Sequence, residues 1–300
     1  MATTNLVNLP INVNRIAARL RDYYTLTKPE VNLLILMTTS AGFVLGHSGS
    51  LHWTGLINTV LGTLLVASGT ATLNQFMERR HDAEMRRTAN RPLPAGRVSA
   101  NEAFWFGMGL SVAGGAYLWL TVNLLTAVLA VSTLLSYLLI YTPLKRKTPL
   151  CTLLGAFPGA MPTLIGWAGA ADSLHREAWF LFAVLFLWQF PHFLAIALMY
   201  REDYSRAGYQ MLPAFDADGR FTRYEILTFT VVLIATTLLP VLGSGHTMIY
   251  ALGVMAAGAF FFYYTAKIFA ENSRQAAARV VHASVMYLPV VLALMVFCKA

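Results

Sequence analysis

The chain has 300 residues, of which 57% are hydrophobic and only 12% are charged, and its mean hydropathy of +0.56 excludes an ordinary soluble domain. Apolar runs long enough to cross a bilayer recur along the whole length, and because they are continuous they exclude a transmembrane β-barrel. The net charge of +8 does not indicate a nucleic-acid partner, since the basic residues cluster in alternate loops, as they do in membrane proteins.

Nine apolar runs predict an all-α, polytopic membrane protein with nine transmembrane helices. The predicted spans are, in chain order, about 31–49, 55–74, 101–120, 123–141, 150–170, 178–199, 224–242, 247–266 and 280–298. Residues 1–30 carry no cleavable signal pattern and are predicted to form a cytoplasmic segment, with residues 31–300 as a single membrane domain. All lysines and arginines except Arg176 and Lys299 then fall on the cytoplasmic side, with the C-terminus outside.

The fifth span is unusually rich in glycine and proline: Gly155, Pro158, Gly159, Pro162, Gly166 and Gly169. Such a helix either breaks, which membranes tolerate only against protein or a cavity, or packs closely against its neighbours. Helix packing and ligand contact therefore both remain open for this span.

An acidic ladder begins where the second span ends. Asn74, Glu78 and Asp82 recur every four residues, so that a continuing helix would stack them on one face. That face presents only oxygen atoms, the hard ligands that suit Mg²⁺. The alternative is a solvated cytoplasmic loop whose charges reflect topology alone.

Arginines follow or interleave with the ladder: Arg79, Arg80, Arg86, Arg87, Arg91 and Arg97. Carboxylates suit a metal ion and guanidinium groups suit phosphate oxygens, so the two together predict a diphosphate site. A second acidic pair, Glu202 and Asp203, follows the sixth span on the same predicted face. Carboxylates converging there would stabilise a leaving diphosphate while an isoprenoid tail stays in the bundle.

Two further sets of side chains have alternative explanations. His192 lies in the sixth span and should face the bundle interior, where it either lines a ligand cavity or packs with a hydrogen bond to a neighbour. An interfacial aromatic belt explains the tyrosines near the cytoplasmic boundary, which are Tyr24, Tyr141, Tyr200, Tyr204 and Tyr209.

Four motifs together resemble one known family. They are N-x3-E-x3-D-x2-M-x2-T-x2-RPLPAGRVS at 74–99, YTPLKRKT at 141–148, GAFPGAMPTLIGW at 155–167, and WQFPHF with REDYSRAGYQMLP at 188–213. The chain resembles the UbiA superfamily of intramembrane prenyltransferases, and the RPLPAG, YTPLKR and DYxxAGxxML segments favour its heme-modifying branch. The resemblance covers nearly the whole chain.

The resemblance implies nine helices bundled around a central cavity and a Mg²⁺-dependent reaction. A farnesyl group would pass from farnesyl diphosphate to a vinyl group of heme b with addition of water, giving heme O and diphosphate. Asn74, Glu78, Asp82 and Asp203 would then hold Mg²⁺ and carry the catalysis. The implied substrate-binding residues are Arg87, Arg91, Lys145, Arg146, His192 and, more weakly, Glu202.

Two departures from the family pattern affect these assignments. Glu78 stands where the superfamily commonly has aspartate, and its extra methylene alters the coordination that is expected. Many relatives carry a second motif of the form D-x3-D. In this chain Asp203 is the carboxylate assigned to that motif, because Met199 and Ala207 occupy the positions four residues before and after it. Glu202 would point about 100° away from Asp203 on a helix.

The implied location is the cell inner membrane, with the active site facing the cytoplasm. The expected partners are farnesyl diphosphate, heme b and the lipid bilayer, with a downstream heme A-forming enzyme or a terminal oxidase assembly as the candidate protein partner. Two alternatives stay open: the same transfer to a quinone precursor or chlorophyllide, and a membrane transporter.

Overall fold

The structure, a computed structural model, describes residues 13–242 and 248–299. These residues form helices and no strands, which confirms the predicted all-α class. Nine helices in the described ranges are long and apolar enough to cross a membrane: α2 (Pro29–Gly46), α3 (Trp53–Asp82), α4 (Ala100–Thr121), α5 (Leu124–Ser136) with its continuation, α7 (Cys151–Ala171), α8 (Arg176–Met199), α10 (Arg220–Leu238), α11 (Met248–Glu271) and α12 (Arg274–Phe297). The shorter helices are α1 (Val13–Leu26), α6 (Thr142–Leu144) and α9 (Arg201–Arg206).

Parts of the predicted map lie outside the described residues. These are residues 1–12 of the predicted cytoplasmic segment, residues 243–247, which include the predicted start of the eighth span, and Ala300. Where the structure and the predicted spans overlap, the helices extend further into charged sequence. The second span reaches Asp82 instead of residue 74, because backbone hydrogen bonds continue a helix after its side chains have become polar.

The N-terminal segment is helical in its described part. Helix α1 packs against α3, and the side chain of Gln75 donates a hydrogen bond to the carbonyl of Leu26 at 2.8 Å. An ion pair between Arg97 and Asp22, at 2.9 Å, ties the helix to the segment that follows α3. Arg97, which the sequence grouped with the predicted diphosphate site, therefore helps to hold α1 in place.

Helices α3 and α4 pack closely because small residues face each other. A Cβ atom added at Gly69 would approach the Gly107 carbonyl to 2.7 Å and the Ser111 amide to 2.8 Å. In a membrane such close approach is a main source of attraction between helices, since lipid provides no hydrophobic driving force. The contact holds α3 rigidly, and α3 carries the acidic ladder.

Helix α7 is the most buried of the spans, and it contacts α2, α3, α5 and α8. It stays helical through Pro158 and Pro162. A Cβ atom added at Gly166 would overlap the Thr39 carbonyl of α2. Between the two explanations left open for this span, the structure shows close helix packing.

The second half of the chain forms its own group, in which α8 contacts α10 and α12, and α11 contacts α10 and α12. Helix α12 also contacts α2, and the Lys299 ammonium donates to the Val44 carbonyl at 2.8 Å. This contact joins the last helix to the C-terminal end of the first spanning helix.

The connections 83–99, 145–150, 200–219 and 272–273 lie at one end of the bundle, called the charged end below. Three of them meet there, since the Gln210 amide donates to the Lys145 carbonyl at 2.8 Å and Arg206 donates to the Glu84 carbonyl at 3.5 Å. The acidic ladder and the second acidic pair are therefore neighbours, as the sequence predicted.

Candidate active site

The acidic ladder lies on the last two turns of α3, as the four-residue spacing predicted. Asn74, Glu78 and Asp82 are 1%, 7% and 1% exposed, so they are not part of a solvated loop. Buried polar groups need partners, and burial of a charge without one costs several kcal/mol. One oxygen of each ladder side chain has a cationic partner outside α3.

Asp82 is paired with Arg91, whose Nη1 atom lies 2.7 Å from the Asp82 carboxylate. The loop between them is held by Thr88, whose hydroxyl donates to the Asp82 carbonyl at 2.8 Å. The guanidinium of Arg91 keeps about a quarter of its surface exposed, with a side-chain exposure of 24%. It can therefore neutralise Asp82 and still turn toward an incoming anion.

Glu78 is paired with Lys145, with 3.0 Å between Nζ and the carboxylate. Burial opposes the charged ammonium, but the Glu78 carboxylate and the nearby tyrosines together outweigh it and raise the pKa of Lys145 well above its ordinary value. The same ammonium lies 4.5 Å from the centre of the Tyr141 ring, a cation–π contact. Tyr209 is buried beside this pair, and burial, together with the Glu78 charge, raises the pKa of its hydroxyl.

Asn74 is oriented from both ends of its amide. The Thr142 hydroxyl donates to the Tyr137 carbonyl at 2.9 Å and accepts from Asn74 Nδ2 at 3.1 Å. The amide oxygen therefore faces the other way, where Lys28 Nζ lies 3.0 Å from it. Burial of that ammonium, assisted by the charge of Arg91, lowers the pKa of Lys28 to about 7.

A break in helix geometry places Thr142 and Lys145 at the ladder. Residues Tyr137–Tyr141 form a π-helix, which continues directly into the short helix Thr142–Leu144. A π-helical turn is rare and re-aims the side chains that follow it, often at functional sites. The sequence predicted an unbroken fourth span here and contained no signal for this change.

The second acidic pair differs from the ladder. Asp203 lies on the short helix α9 and makes an ion pair of 3.4 Å with Arg206, three residues later, while Glu202 is exposed. In residues 13–242 and 248–299 no three side chains of His, Cys, Asp or Glu group together, so Asp203 does not join Glu78 and Asp82 in one cluster.

Arg87 connects the second acidic segment to the ladder segment. Its guanidinium lies 4.8 Å from the centre of the Tyr200 ring, and its Nη2 atom is 3.4 Å from the Tyr204 hydroxyl. Arg146, the fourth basic residue of the predicted set, is exposed at the same end. Two other arginines of the ladder stretch make different contacts. Arg79 donates to the Phe76 carbonyl at 2.6 Å, and Arg97 pairs with Asp22.

His192 lies deeper, in the contact between α8 and α12. Its Nδ1 atom is 2.8 Å from the Ser284 hydroxyl, and its ring stacks on Trp188 with 4.6 Å between centroids. The Ser284 hydroxyl donates to the Val281 carbonyl at 2.6 Å. Ser284 must therefore accept from Nδ1, and Nε2 of His192 keeps its lone pair.

Three residues of the site were not identified from the sequence. Lys28 was counted only as a topological charge, Thr142 was not singled out, and Tyr209 was explained by an aromatic belt although it is 4% exposed. Tyr24, at 63% exposure, does fit the belt. Lys28 and Thr142 each stand directly before a proline, Pro29 and Pro143, which was the available signal.

The ladder has the properties that a Mg²⁺–diphosphate site requires. Its ligands are oxygens only, and the nitrogen atoms within 3.0 Å of each side chain show that a cation is stabilised at every position. With metal and diphosphate bound, the three ladder side chains would hold the metal. Their cationic partners would then be available to the phosphate oxygens, which would keep the buried charge balanced. The residues therefore fit the metal.

Comparison with known proteins identifies the family of the chain. Residues 35–289 match the UbiA prenyltransferase family. A relative from Solibacter usitatus named protoheme IX farnesyltransferase is 48% identical over 285 residues, which cover 92% of this chain and 98% of the relative.

Solved structures agree at the level of the fold. A digeranylgeranylglyceryl phosphate synthase superposes with a TM-score of 0.75 at 18% identity, covering 93% of this chain and 98% of the other. A UbiA homolog from Archaeoglobus fulgidus, bound to GPP and Mg²⁺, gives a TM-score of 0.65 at 13% identity, covering 91% and 99%. The sequence match and the shared fold lead to the same conclusion: the chain belongs to the UbiA prenyltransferase family.

Proposed function

We propose that the chain transfers the farnesyl group of farnesyl diphosphate to a vinyl group of heme b, with addition of water, and releases heme O and diphosphate. The observation that carries this proposal is the buried ladder, in which every oxygen-bearing side chain has a cation in contact. The names of the curated relatives at 35–48% identity supply the donor and acceptor. Neither a quinone or chlorophyllide acceptor nor transport has an observation of its own in its favour.

On the donor side, Asn74, Glu78 and Asp82 would hold Mg²⁺, and Asp203 would approach from α9. When bound, the metal would supply positive charge that stabilises the departing diphosphate. Lys145 and Arg91 would turn from their carboxylates to the phosphate oxygens, since each is already a charge-assisted donor at the ladder. Arg87 and Arg146 would add charge from the rim, and Lys28 from the α2 end.

The chain also provides a surface for the developing allylic cation. The Tyr141 ring already lies within 4.5 Å of an ammonium group, so its face accepts positive charge in this position. Once Lys145 turns to the diphosphate, the ring is available to the farnesyl carbon from which the diphosphate departs. Tyr209 keeps its proton because its pKa is raised, and it can hold the Glu78 side chain in place.

On the acceptor side, His192 is the candidate contact for the porphyrin. Its Nδ1–H is committed to Ser284, so Nε2 remains available as a ligand for the heme iron. The stack on Trp188 fixes the plane of the imidazole ring. We assign Glu202 only a weak role, because it is exposed.

The distribution of charge supports a location for the chain in the cell inner membrane. The charged end would face the cytoplasm and the Lys299 end would lie outside the inner membrane, which agrees with the positive-inside rule. Residues 1–30 would form a cytoplasmic segment and 31–300 one membrane domain. A heme A-forming enzyme or a terminal oxidase assembly is the proposed recipient of the product.

The decisive experiment is mass analysis of hemes extracted after the purified protein is incubated with heme b, farnesyl diphosphate and Mg²⁺. We expect a product heavier by one farnesyl group and one hydroxyl group, the second proton of the added water leaving with diphosphate; the product should be lost in excess EDTA and restored by added Mg²⁺. Asp82→Ala protein, checked for correct folding, is the negative control. Diphosphate release with unchanged heme b would redirect the proposal to another acceptor, and full activity in EDTA would remove the metal.

A further inference from the structure

A second basic cavity lies at the charged end, outside the ladder. It has a volume of about 320 Å³ and is bounded by the ends of α8, α10, α11 and α12. Three arginines line it, Arg201, Arg223 and Arg274, and its one acidic residue is Asp218. The cavity therefore carries a clear excess of positive charge.

Arg223 is the buried member of this cluster, at 8% exposure. Its Nη1 atom donates to the Asn272 side-chain oxygen at 2.5 Å and to the Asp218 carbonyl at 3.2 Å, and its Nε atom has no hydrogen-bond partner in the described residues. Both acceptors are uncharged. The guanidinium is thus positioned by neutral groups while its charge and part of its donor capacity are left unmatched, which is costly in a buried site.

The two arginines at the rim show the same pattern. Arg201 donates to the Ala217 carbonyl at 2.9 Å, and the Arg274 guanidinium lies 5.3 Å from the centre of the Tyr200 ring. The Asp218 carboxylate accepts from the Arg220 amide at 3.1 Å. The described contacts of these arginines are therefore carbonyl, amide and aromatic groups, which hold a guanidinium in place and leave it free to bind an anion.

Two helices also direct their positive ends at the cavity. Helix α10 begins after Gly219 and α12 begins after Ser273, and both of these residues line the cavity. The N-terminus of a helix carries a partial positive charge that favours an anion. This contribution adds to that of the arginines, and the buried Arg223 gives the site its anchor.

We propose that this cavity is a second oxyanion site, which binds a phosphate group. Planar guanidinium groups suit two or more oxygens of one phosphate, and the cavity has room for a small substituent on it. The phosphate can belong to an anionic phospholipid headgroup at the membrane surface or to free phosphate or diphosphate. Tyr200 separates the cavity from the ladder, since Arg87 and Arg274 both contact its ring, at 4.8 Å and 5.3 Å.

The test uses the full-length purified protein in two arms. In one arm the protein sits in phosphatidylcholine nanodiscs with or without phosphatidic acid, and native mass spectrometry counts the retained lipid. In the other arm inorganic phosphate and diphosphate are titrated without Mg²⁺, with binding followed calorimetrically. The variant Arg201→Gln/Arg274→Gln removes the two positive charges at the rim. The variant Ala217→Glu keeps all three arginines and adds a carboxylate at the exposed rim.

The charge-matched control is Arg220→Gln/Lys267→Gln, which removes two positive charges at the same end outside the cavity. We expect the wild type and this control to bind one of the two probes. Both cavity variants should bind the same probe with an affinity at least about tenfold lower. Lipid retention would identify the headgroup as the source, and binding of soluble anion alone would identify free phosphate. Equal affinity in all four proteins, or no binding of either probe by the wild type, overturns the proposal. Neither arm measures prenyl transfer, so the outcome of this binding test is independent of the proposed function.

Discussion

The two acidic segments at the charged end differ in their burial and in the position of their ion-pair partners. In the ladder, each side chain is buried and has a cationic partner outside its own helix. Asn74 and Glu78 are paired with residues far away in the sequence, as Glu78 is with Lys145, and Asp82 is paired with Arg91 from the loop that follows α3. In the second segment, Asp203 is paired with Arg206 on the same turn of a short helix, and Glu202 is exposed. The ladder is preorganised by tertiary structure, whereas the second segment depends mainly on local contacts.

This difference suggests a division of labour. A rigid, water-poor ladder can hold charge where a diphosphate departs, because fixed groups in a low-dielectric site need little reorganisation. A short helix in a loop can move toward the ladder after substrate arrives, as loops that close active sites do. Substitutions in the two segments should therefore have effects of very different size.

The largest contrast should be between Asp82→Ala and Asp203→Ala. We expect Asp82→Ala to lower turnover by about a thousandfold, since it removes a buried carboxylate that we propose as a metal ligand, and Asp203→Ala to lower it by about tenfold. The measurement is the rate of heme O formation at saturating substrates, with protein folding checked by gel filtration. Equal losses in the two variants would contradict the proposed division.

The ion pair between Glu78 and Lys145 should dominate stability at the charged end. Lys145→Met leaves the Glu78 carboxylate buried without its partner, which should lower the free energy of unfolding by about 3–5 kcal/mol. The double variant Lys145→Met/Glu78→Gln should recover most of that loss, because no unpaired charge remains. Thermal unfolding of both proteins in the same detergent measures the difference. A double variant no more stable than Lys145→Met would show that the pair is not the cause.

Much of this arrangement was predictable from the sequence. Hydropathy located nine spans, and the four-residue spacing placed Asn74, Glu78 and Asp82 on one helix face, because helical periodicity is a local property. The partners of the ladder were not predictable in the same way. Lys28 comes 46 residues before Asn74, and Lys145 comes 67 residues after Glu78, so only the packed bundle brings them together.

The burial of Tyr209 shows the same limit. Its position after the sixth span suited an aromatic belt, and hydropathy does not distinguish a tyrosine at the lipid boundary from one beneath a loop. In the structure Tyr209 packs with Met85 and Ala207, where the segments after α3 and α8 meet. The contact depends on two loops that are 117 residues apart at Arg87 and Tyr204, a separation that local patterns do not encode.

Thr142 gives a smaller test of preorganisation. Thr142→Val removes the hydroxyl that orients the Asn74 amide, so the amide can turn and its oxygen no longer points consistently into the site. We expect the KM for farnesyl diphosphate and the Mg²⁺ concentration for half-maximal rate to rise by roughly tenfold, the effect of one lost buried hydrogen bond. Thr142→Ser keeps the hydroxyl and is the matched control. If the two variants behave alike, hydroxyl orientation has no role.

The smallest expected effect is that of Glu202→Gln. The side chain is exposed, and on a helix it points about 100° away from Asp203, so loss of its charge should change turnover by less than about twofold. Asp203→Asn makes the same chemical change at the neighbouring position and should have the larger effect. Asp203 is paired with Arg206, and Arg206 in turn donates to the Glu84 carbonyl in the segment that follows the ladder. Steady-state rates of the two variants at equal Mg²⁺ decide the matter. A larger loss in Glu202→Gln would mean that α9 rotates on substrate binding and presents Glu202, not Asp203, to the diphosphate.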